Sequence, residues 1–210
     1  MSVIVELPSD INIASMEWGL MSFDLGNTNA DTGSTQVAVL GPQRRTCAIV
    51  SNEREEDPEV MARWRTLLHA MRGRVGRIAV WDVRSPEPRG TARGVWTAAG
   101  ATPAGATSIT LAIAGENGRT VLMGDWIGVH QEATGAARQL LHVQADAIVQ
   151  GGAVTLQFEP ALRVSLPAGA VVVWDRPTCL MRRTSNETRW KDTPGDFQGG
   201  YSLDLMESWE

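Results

Sequence analysis

The chain has 210 residues, of which 43% are hydrophobic and 20% charged, and its net charge is −5. This balance excludes a disordered chain, and the acidic excess argues against a general nucleic-acid binder, which would be basic. The sequence is rich in Val, Ile, Thr and Trp, which favour strands, and it has 21 Gly and 10 Pro, which favour turns. We therefore expect a mainly β fold.

The first residues do not resemble a secretory signal, because they lack a basic start and are interrupted by Glu6 and Asp10. No stretch approaches the roughly 18 apolar residues of a membrane span. We therefore expect assembly in the cytoplasm without membrane insertion. In that compartment Cys47 and Cys179, each in an apolar run, are expected to be buried thiols rather than a disulfide or a reactive thiol.

The N-terminal quarter contains several strand-like runs, at 3–5, 11–25, 35–40 and 45–51. An irregularity is expected at Gly19. The segment 26–35, GNTNADTGST, is typical of a loop or the end of a long hairpin. The last two runs are predicted to pair with each other around Gly41 and Pro42.

One helix is predicted, over residues 58–71. Asp57 is a good N-cap and Pro58 fits the first helical position, while Gly73 favours the end of the helix. Five apolar side chains recur at helical spacing and form one stripe: Met61, Trp64, Leu67, Leu68 and Met71. This stripe predicts packing against a sheet.

After a strand at 76–83, the segment 84–94 has two prolines, two glycines and three arginines, and we expect an exposed loop. Short strands then follow at 108–113, 121–129, 140–149, 153–159 and 170–175. A tight turn at 150–152 is predicted to join two of them. Such spacing predicts a small β-barrel or sandwich, and the tail 178–210 has strand signals again.

These patterns predict a discontinuous β-sandwich with one packed α-helix, made of residues 1–90 and 178–210. Residues 91–177 are predicted to form a small β-barrel or sandwich module inserted into it, because loop tips tolerate such insertions.

Catalytic or metal sites are not expected. The histidines, His69, His130 and His142, lack the spacing of a zinc site and are expected to be isolated. An approach of His130 and His142 across neighbouring strands is the alternative. No G-x-S-x-G elbow occurs. A carboxylate pair for a wall hydrolase remains an alternative among Asp125, Asp146 and Glu159, although strand-edge acids are usually solvated. We predict no enzyme activity and no cofactor.

Charge is divided between the two ends of the predicted helix. The acidic block before it contains Glu53, Glu55 and Glu56, and the basic block after it contains Arg72, Arg74, Arg77, Arg84, Arg89 and Arg93. One interpretation is a solvated face with partial compensation of the helix dipole. The other is a head-to-tail contact between subunits, which closes into a ring. A nucleic-acid patch lacks the interleaved aromatic residues that single-strand binders use.

The order of motifs is a helix containing Arg63-Trp64, then RGRVGRIAVWDVRSPEPRGTARG, GDWIGV, LQFEPALR, DRPT and a closing SLDLMESWE. Over most of the chain this order resembles the distal tail proteins (Dit-like) of long-tailed siphophages and prophages. The resemblance implies a β-sandwich with a helix in a six-fold (hexameric) ring at the distal end of the tail tube in the virion. It implies contacts with copies of itself, the tail tube protein, the tape-measure protein and the tip hub protein, and it carries over no catalytic residues.

An alternative function is a host-surface glycan-binding module. Trp96, Trp126 and Trp174 are candidates for stacking on pyranose rings if they are exposed. The same residues would otherwise pack in the core or in hairpins.

Overall fold

The computed structural model describes residues 4–52, 56–132, 137–193 and 198–209. It is mainly β with a single helix in these residues, which confirms the predicted fold class. In chain order the elements are β1 (Ile4–Glu6), β2 (Ile13–Thr28), β3 (Thr35–Ser51), α1 (Pro58–Met71), β4 (Arg77–Val80), β5 (Trp96–Ala98), β6 (Ser108–Ile113), β7 (Thr120–Val121), β8 (Trp126–Val129), β9 (Gln139–Val143), β10 (Ala147–Ile148), β11 (Ala153–Glu159), β12 (Val171–Val172), β13 (Cys179–Arg183), β14 (Lys191–Thr193), β15 (Gln198–Gly200) and β16 (Ser202–Glu207).

Six strands form the helix-backed sheet, in the order β1-β4-β13-β16-β3-β2. β1 pairs parallel with β4, and every other pair in this sheet is antiparallel. The order leaves β1 and β2 at the two edges. Strands from both ends of the sequence therefore meet in one sheet.

Helix α1 begins where the Asp57 carboxylate accepts a hydrogen bond from Glu59 N at 2.8 Å. It ends at Arg72, whose backbone is left-handed. Its buried face is Val60, Met61, Trp64, Leu67, Leu68 and Met71. The Trp64 ring stacks on the Tyr201 ring at a centroid distance of 5.8 Å. The predicted helix and its apolar stripe are confirmed.

A second set of six strands forms the closed sheet, in the order β12-β5-β6-β11-β9-β8. Gly128 and Val173 exchange two backbone hydrogen bonds, of 2.7 and 2.8 Å, which join β8 to the end of β12. The sheet is therefore a nearly closed barrel. Its interior is filled by apolar side chains that include Trp96, Leu111, Ile113, Ile127, Leu141, Val143, Leu156 and Phe158.

Two hydrophobic clusters accompany these two sheets, one around α1 and one inside the barrel. Leu140 and Trp126 of the closed sheet pack against the first cluster, so the two sheets are in contact. The division into 1–90 with 178–210, and 91–177, stays a prediction.

The expected turn at Gly41 and Pro42 is wrong, because residues 35–51 form one strand that pairs with β2 along its length. The ladder is irregular opposite Met21 and Phe23, where Gly41 pairs with Phe23 and Pro42 has no ladder partner. A bulge accommodates proline, since its missing N–H removes no ladder bond there. The chain instead reverses after Asn29, whose N–H donates to Ser34 O at 2.9 Å, as the long-hairpin interpretation predicted.

The expected exposed loop at 84–94 is also wrong in part. Gly90 and Ala92 are buried, and a Cβ on Gly90 would lie 2.3 Å from Thr120 O. The segment therefore packs closely on the barrel.

The predicted strand 140–149 is divided into β9 and β10, and β10 pairs with β7. The predicted turn at 150–152 is present, with positive φ at both of its glycines.

Candidate assembly interface

The most exposed part of the helix-backed sheet is the hairpin arm, residues 19–43, which comprises the outer parts of β2 and β3 and their turn. Every residue from 20 to 40 is exposed. Seven of them are large and apolar: Leu20, Met21, Phe23, Leu25, Val37, Val39 and Leu40. Val39 is 81% exposed. A two-stranded hairpin is only marginally stable alone in water, so an arm of this composition favours a partner surface.

The outer edge of the arm is also open to pairing. Among the described residues, β2 is an edge strand with no neighbour beyond it. Edge strands present free N–H and C=O groups, and soluble proteins usually protect them with lysine or proline. The β2 sequence contains neither. The arm contains Asp24 and Asp31 and no basic residue before Arg44.

The base of the arm is fixed to the barrel by buried Arg45. Its N–H donates to the Glu207 carboxylate at 3.0 Å, and its guanidinium donates to Leu140 O at 3.4 Å and Glu159 O at 3.2 Å. The same guanidinium lies 4.7 Å above the Trp126 ring. Burial lowers the pKa of Arg45, and the nearby Cys179 and Glu207 partly oppose this effect.

Glu207 connects the C-terminal strand to the barrel as well. Its carboxylate lies 2.9 Å from the Arg163 guanidinium, and both side chains are largely buried. Trp209 follows, with Arg44 at 4.2 Å and Arg163 at 5.2 Å from its ring centroid. The C-terminal segment thereby contacts both the base of the arm and the barrel.

The predicted charge blocks are only partly exposed. Glu53 and Glu55 lie outside the described residues, and Glu56 is exposed. In the basic block, the exposed residues are Arg72, Arg74, Arg84 and Arg89. Arg77 is 8% exposed.

Two members of the basic block support the barrel. Arg93 donates to Gly90 O at 2.7 Å and to Ala92 O at 2.8 Å, and Arg89 donates to Met123 O. Their guanidiniums therefore have structural roles within the chain. The assignment of the whole block to a contact between subunits stays a prediction, and exposure favours Arg72, Arg74 and Arg84.

Sequence reasoning missed an arginine groove of about 400 Å³. Its lining includes Arg44, Arg74, Arg182, Arg183, Glu207 and Trp209. These residues come from the base of the arm, the segment after α1, β13 and the C-terminal strand. No local pattern identifies the groove, because only the sheet order brings the four segments together.

The three candidate tryptophans differ in environment. Trp96 is 1% exposed and donates to Arg93 O at 3.1 Å, so its proposed role in stacking on a sugar is wrong. Trp174 donates to Gly94 O at 2.8 Å. Trp126 lines a groove of about 280 Å³ together with Trp18, and the two ring centroids are 6.3 Å apart.

Asp125 has a structural role. It is buried and accepts from Arg89 N at 2.7 Å, Gly90 N at 3.2 Å and Leu122 N at 2.8 Å. Asp146 accepts from Met123 N at 2.7 Å. Each carboxylate thus fixes a turn of the backbone.

The histidines do not meet. In the β8–β9 ladder, Val129 pairs with Gln139 and Trp126 pairs with His142, so His130 and His142 lie at opposite ends. The alternative, an approach of these two histidines, is therefore wrong. Burial, and then Arg45, lower the pKa of His142. Within the described residues, no group of three His, Cys, Asp or Glu side chains is arranged to hold a metal ion.

Both cysteines are free and buried. Burial, with a smaller effect of Asp82, raises the pKa of the Cys47 thiol to about 12. Burial, and then Glu207, raise the pKa of Cys179 well above its usual range. Neither thiol is accessible to solvent, as a reactive cysteine is.

Comparison with known protein families and with curated proteins gives no significant match to the chain. Among the described residues, no helix is both long and apolar enough to cross a membrane.

Proposed function

We propose that the chain is a structural phage tail protein that forms a ring at the distal end of the tail tube and connects the tube to the baseplate or tip hub. The observation that carries this proposal is the hairpin arm, with seven exposed apolar side chains and an open edge. A surface of this kind is typical of protein contacts and unusual for a solitary chain.

The arm supports contact between copies by its size. Full burial of a large apolar side chain contributes about 1.5–3 kcal/mol, so seven partly exposed ones contribute on the order of 5–10 kcal/mol. Association costs about 4–15 kcal/mol in lost freedom. The arm alone therefore gives a marginal contact, and a stable ring needs a second contact surface.

The resemblance to distal tail proteins supplies the rest of the proposal. In it, six copies form a ring coaxial with the tail tube, and the arm contacts the adjacent copy. The tail tube protein, the tape-measure protein and the tip hub protein are the further partners, and the location is the virion tail. A head-to-tail contact between neighbouring copies gives a closed ring when the rotation from one copy to the next divides a full turn evenly.

The test compares the purified full chain with two matched variants by mass photometry and negative-stain microscopy. Val37→Asp with Val39→Asp places two charges on the arm, and we expect it to reduce rings to monomers. Val95→Asp makes the same change at a side chain that is 70% exposed outside the arm, and we expect rings to persist. A wild-type chain that stays monomeric at high concentration contradicts the proposal.

A second candidate function is glycan binding, which the groove between Trp18 and Trp126 favours. His142 and Gln144 also line this groove, and the Gln144 amide lies 2.9 Å from His142 Nδ1. Aromatic faces with polar side chains beside them suit a sugar ring. A glycan array probed with the full chain tests this, and a hit that Gln144→Ala abolishes without lowering the melting temperature supports it. The absence of any hit on the array contradicts glycan binding.

A further inference from the structure

Two anchors hold the barrel against the helix-backed sheet, and they lie on different strands of that sheet. In the first anchor, the Arg45 guanidinium of β3 donates to Leu140 O at 3.4 Å and to Glu159 O at 3.2 Å. The same guanidinium lies 4.7 Å from the centroid of the Trp126 ring. Arg45 is 3% exposed, and it therefore connects β3 to three barrel strands, β8, β9 and β11, at a buried position.

The second anchor reaches β1, at the opposite edge of the helix-backed sheet. The buried Arg138 guanidinium, from the residue before β9, lies 2.8 Å from the Glu6 carboxylate and donates to Thr178 Oγ1 at 3.3 Å. The Gln131 side chain accepts from Thr178 N at 3.0 Å and donates to Thr178 O at 2.9 Å. This anchor thus holds β1 and the residue that precedes β13.

The separation of the two anchors limits how the barrel can move. Three strands lie between β1 and β3, which places these two strands about 19 Å apart at the usual spacing of neighbouring strands. A barrel held at one point can pivot about that point, whereas a barrel held at two distant points can only rotate about the line that joins them. Any other motion breaks hydrogen bonds of a buried guanidinium, which is costly. These contacts oppose the relative motion that is usual for two parts of a chain.

A third contact opposes the remaining rotation. Arg44 precedes Arg45 in β3, and successive side chains of a strand point to opposite faces of the sheet. The Arg44 guanidinium lies 4.2 Å from the centroid of the Trp209 ring, and the Arg163 guanidinium, from the segment after β11, lies 5.2 Å from the same ring. The barrel is therefore connected to β3 on both faces of this strand.

The groove between Trp18 and Trp126 lies across these contacts. Trp18 and Leu20 line it from the helix-backed sheet, Trp126 and His142 line it from the barrel, and Arg45 also contributes to the lining. A groove with walls on two sheets keeps one shape only if the sheets do not move relative to each other. A preformed groove binds a ligand at a lower cost in ordering than a mobile one.

We propose that the two anchors and the Arg44–Trp209 contact form a rigid joint, which fixes the direction of the barrel relative to the arm and keeps the groove between Trp18 and Trp126 preformed. In the proposed ring, every barrel then points away from the tail tube at the same angle, and this consequence alone rests on the proposed function. The joint itself belongs to a single chain, so its test does not require a ring.

Pairs of spin labels on the full chain measure the joint by double electron–electron resonance. The labelled chain is diluted with unlabelled chain, so that only distances within one copy contribute. Asn27→Cys with Ser108→Cys places one label on the arm and one on the barrel, and Asn27→Cys with Ser202→Cys is a control pair within the helix-backed sheet. All three positions are exposed, whereas the native cysteines are buried and are expected to stay unlabelled. We expect a single narrow distance distribution for both pairs.

Substitutions that release the anchors are expected to loosen the joint. Arg45→Lys and Arg138→Lys keep the positive charge, but the ammonium group of lysine cannot replace the planar, forked guanidinium. Together they are expected to broaden the arm–barrel distance distribution about twofold, because the barrel regains the mobility that is usual between domains, while the control pair stays narrow. The matched control Arg93→Lys changes an arginine that donates to Gly90 O and Ala92 O within the barrel, and it is expected to change neither pair.

Trp209→Ala is a milder variant, which removes the third contact and leaves the hydrogen bonds of both anchors in place. It is expected to broaden the arm–barrel distribution less than the double variant does, and it decides the question if the double variant fails to fold by circular dichroism.

Three outcomes overturn the inference. The wild-type arm–barrel distribution is as broad as that of the anchor variants, or it stays narrow in variants that are folded, or the control pair broadens equally, because the motion would then lie within the arm. A narrow wild-type distribution that broadens in the variants supports the joint even in a chain that never forms rings. The joint and the proposed ring therefore fail separately.

Discussion

The two six-stranded sheets of this chain differ at their edges. The closed sheet joins β8 to the end of β12 through Gly128 and Val173, so its two edges meet within the chain. The helix-backed sheet ends in β2, whose outer part projects as the hairpin arm. Closure removes a pairing template, whereas an open edge retains one. If the chain assembles as proposed, we therefore expect the helix-backed sheet to make the contact.

Arginine is clustered in only one of these two regions. In the barrel, guanidiniums donate to nearby backbone carbonyls, as Arg93 does to Gly90 O and Ala92 O, and Arg163 does to Arg138 O. In the helix-backed sheet, Arg44, Arg182 and Arg183 line one groove together with Arg74 from the segment after α1. Arg74 and Arg183 also donate to backbone carbonyls, of Thr184 and Glu187, so arginine supports the fold of the chain in both regions.

The largest expected effect belongs to Glu207, which connects the two regions. Glu207→Ala leaves Arg163 without its buried ion partner and Arg45 N without its acceptor. Breaking a buried pair costs about 3–5 kcal/mol. We expect the free energy of unfolding, measured by urea denaturation, to fall by this amount.

Glu207→Gln provides the control, since its amide oxygen still accepts from Arg45 N while the charge is lost. A smaller loss than that of Glu207→Ala is expected. If both variants unfold at the urea concentration of wild type, the two sheets are not joined through this residue.

The next effect lies within the barrel. Asp125→Ala leaves three backbone N–H groups, of Arg89, Gly90 and Leu122, without their acceptor, and hydrogen bonds to a charged group contribute about 1.5–3 kcal/mol. The three contributions share one carboxylate and are not additive, so we expect a total loss of about 2–3 kcal/mol by thermal denaturation. Asp146→Ala, at an exposed acid, is expected to cost less. Ring assembly below the melting temperature is expected to be unchanged, and its loss would mean that the barrel contributes to the contact.

The two cysteines are expected to make the stability of the helix-backed sheet depend on pH, because Cys47 and Cys179 both lie in that sheet. A raised pKa in the folded state means that folding favours the neutral thiol. This stability is present below about pH 8.5, the usual pKa of an unfolded cysteine, and is lost as pH rises towards about 12 for Cys47.

Above about pH 8.5 each pH unit is expected to remove about 1.4 kcal/mol per thiol. Thermal melts of wild type and Cys47→Ala between pH 7 and 10 measure it. The variant is expected to lose stability less steeply. If stability falls with pH equally steeply in wild type and in Cys47→Ala, the fold does not raise the pKa of the Cys47 thiol.

Local signals explain what the sequence predicted correctly. Asp57, Pro58 and the stripe through Trp64 determine α1 within one segment, and paired glycines determine the turn at 150–152. The mainly β class follows from composition in the same way. Each of these features depends on residues that are neighbours in the sequence, so a short segment is enough to predict it.

Features that depend on distant residues were missed. Pro42 signals a turn locally, but pairing along the whole of β2 absorbs it in a bulge. Asp125 gave no local sign that it holds the segment after Ser85 against the barrel. The arginine groove combines four segments, and only the order of strands β13, β16 and β3 brings them together.

The smallest expected effect tests the comparison most directly. Val39→Ala and Val80→Ala make the same chemical change, at side chains that are 81% and 0% exposed. Val80 lies in the core of the helix-backed sheet, so its truncation is expected to cost about 2–3 kcal/mol of folding stability. Val39 lies on the arm, and in monomeric chains its truncation is expected to change stability by less than about 0.5 kcal/mol. Urea denaturation at low protein concentration measures both. A large loss at Val39 would mean that the arm packs within its own chain, and the open sheet would then be as self-contained as the closed one.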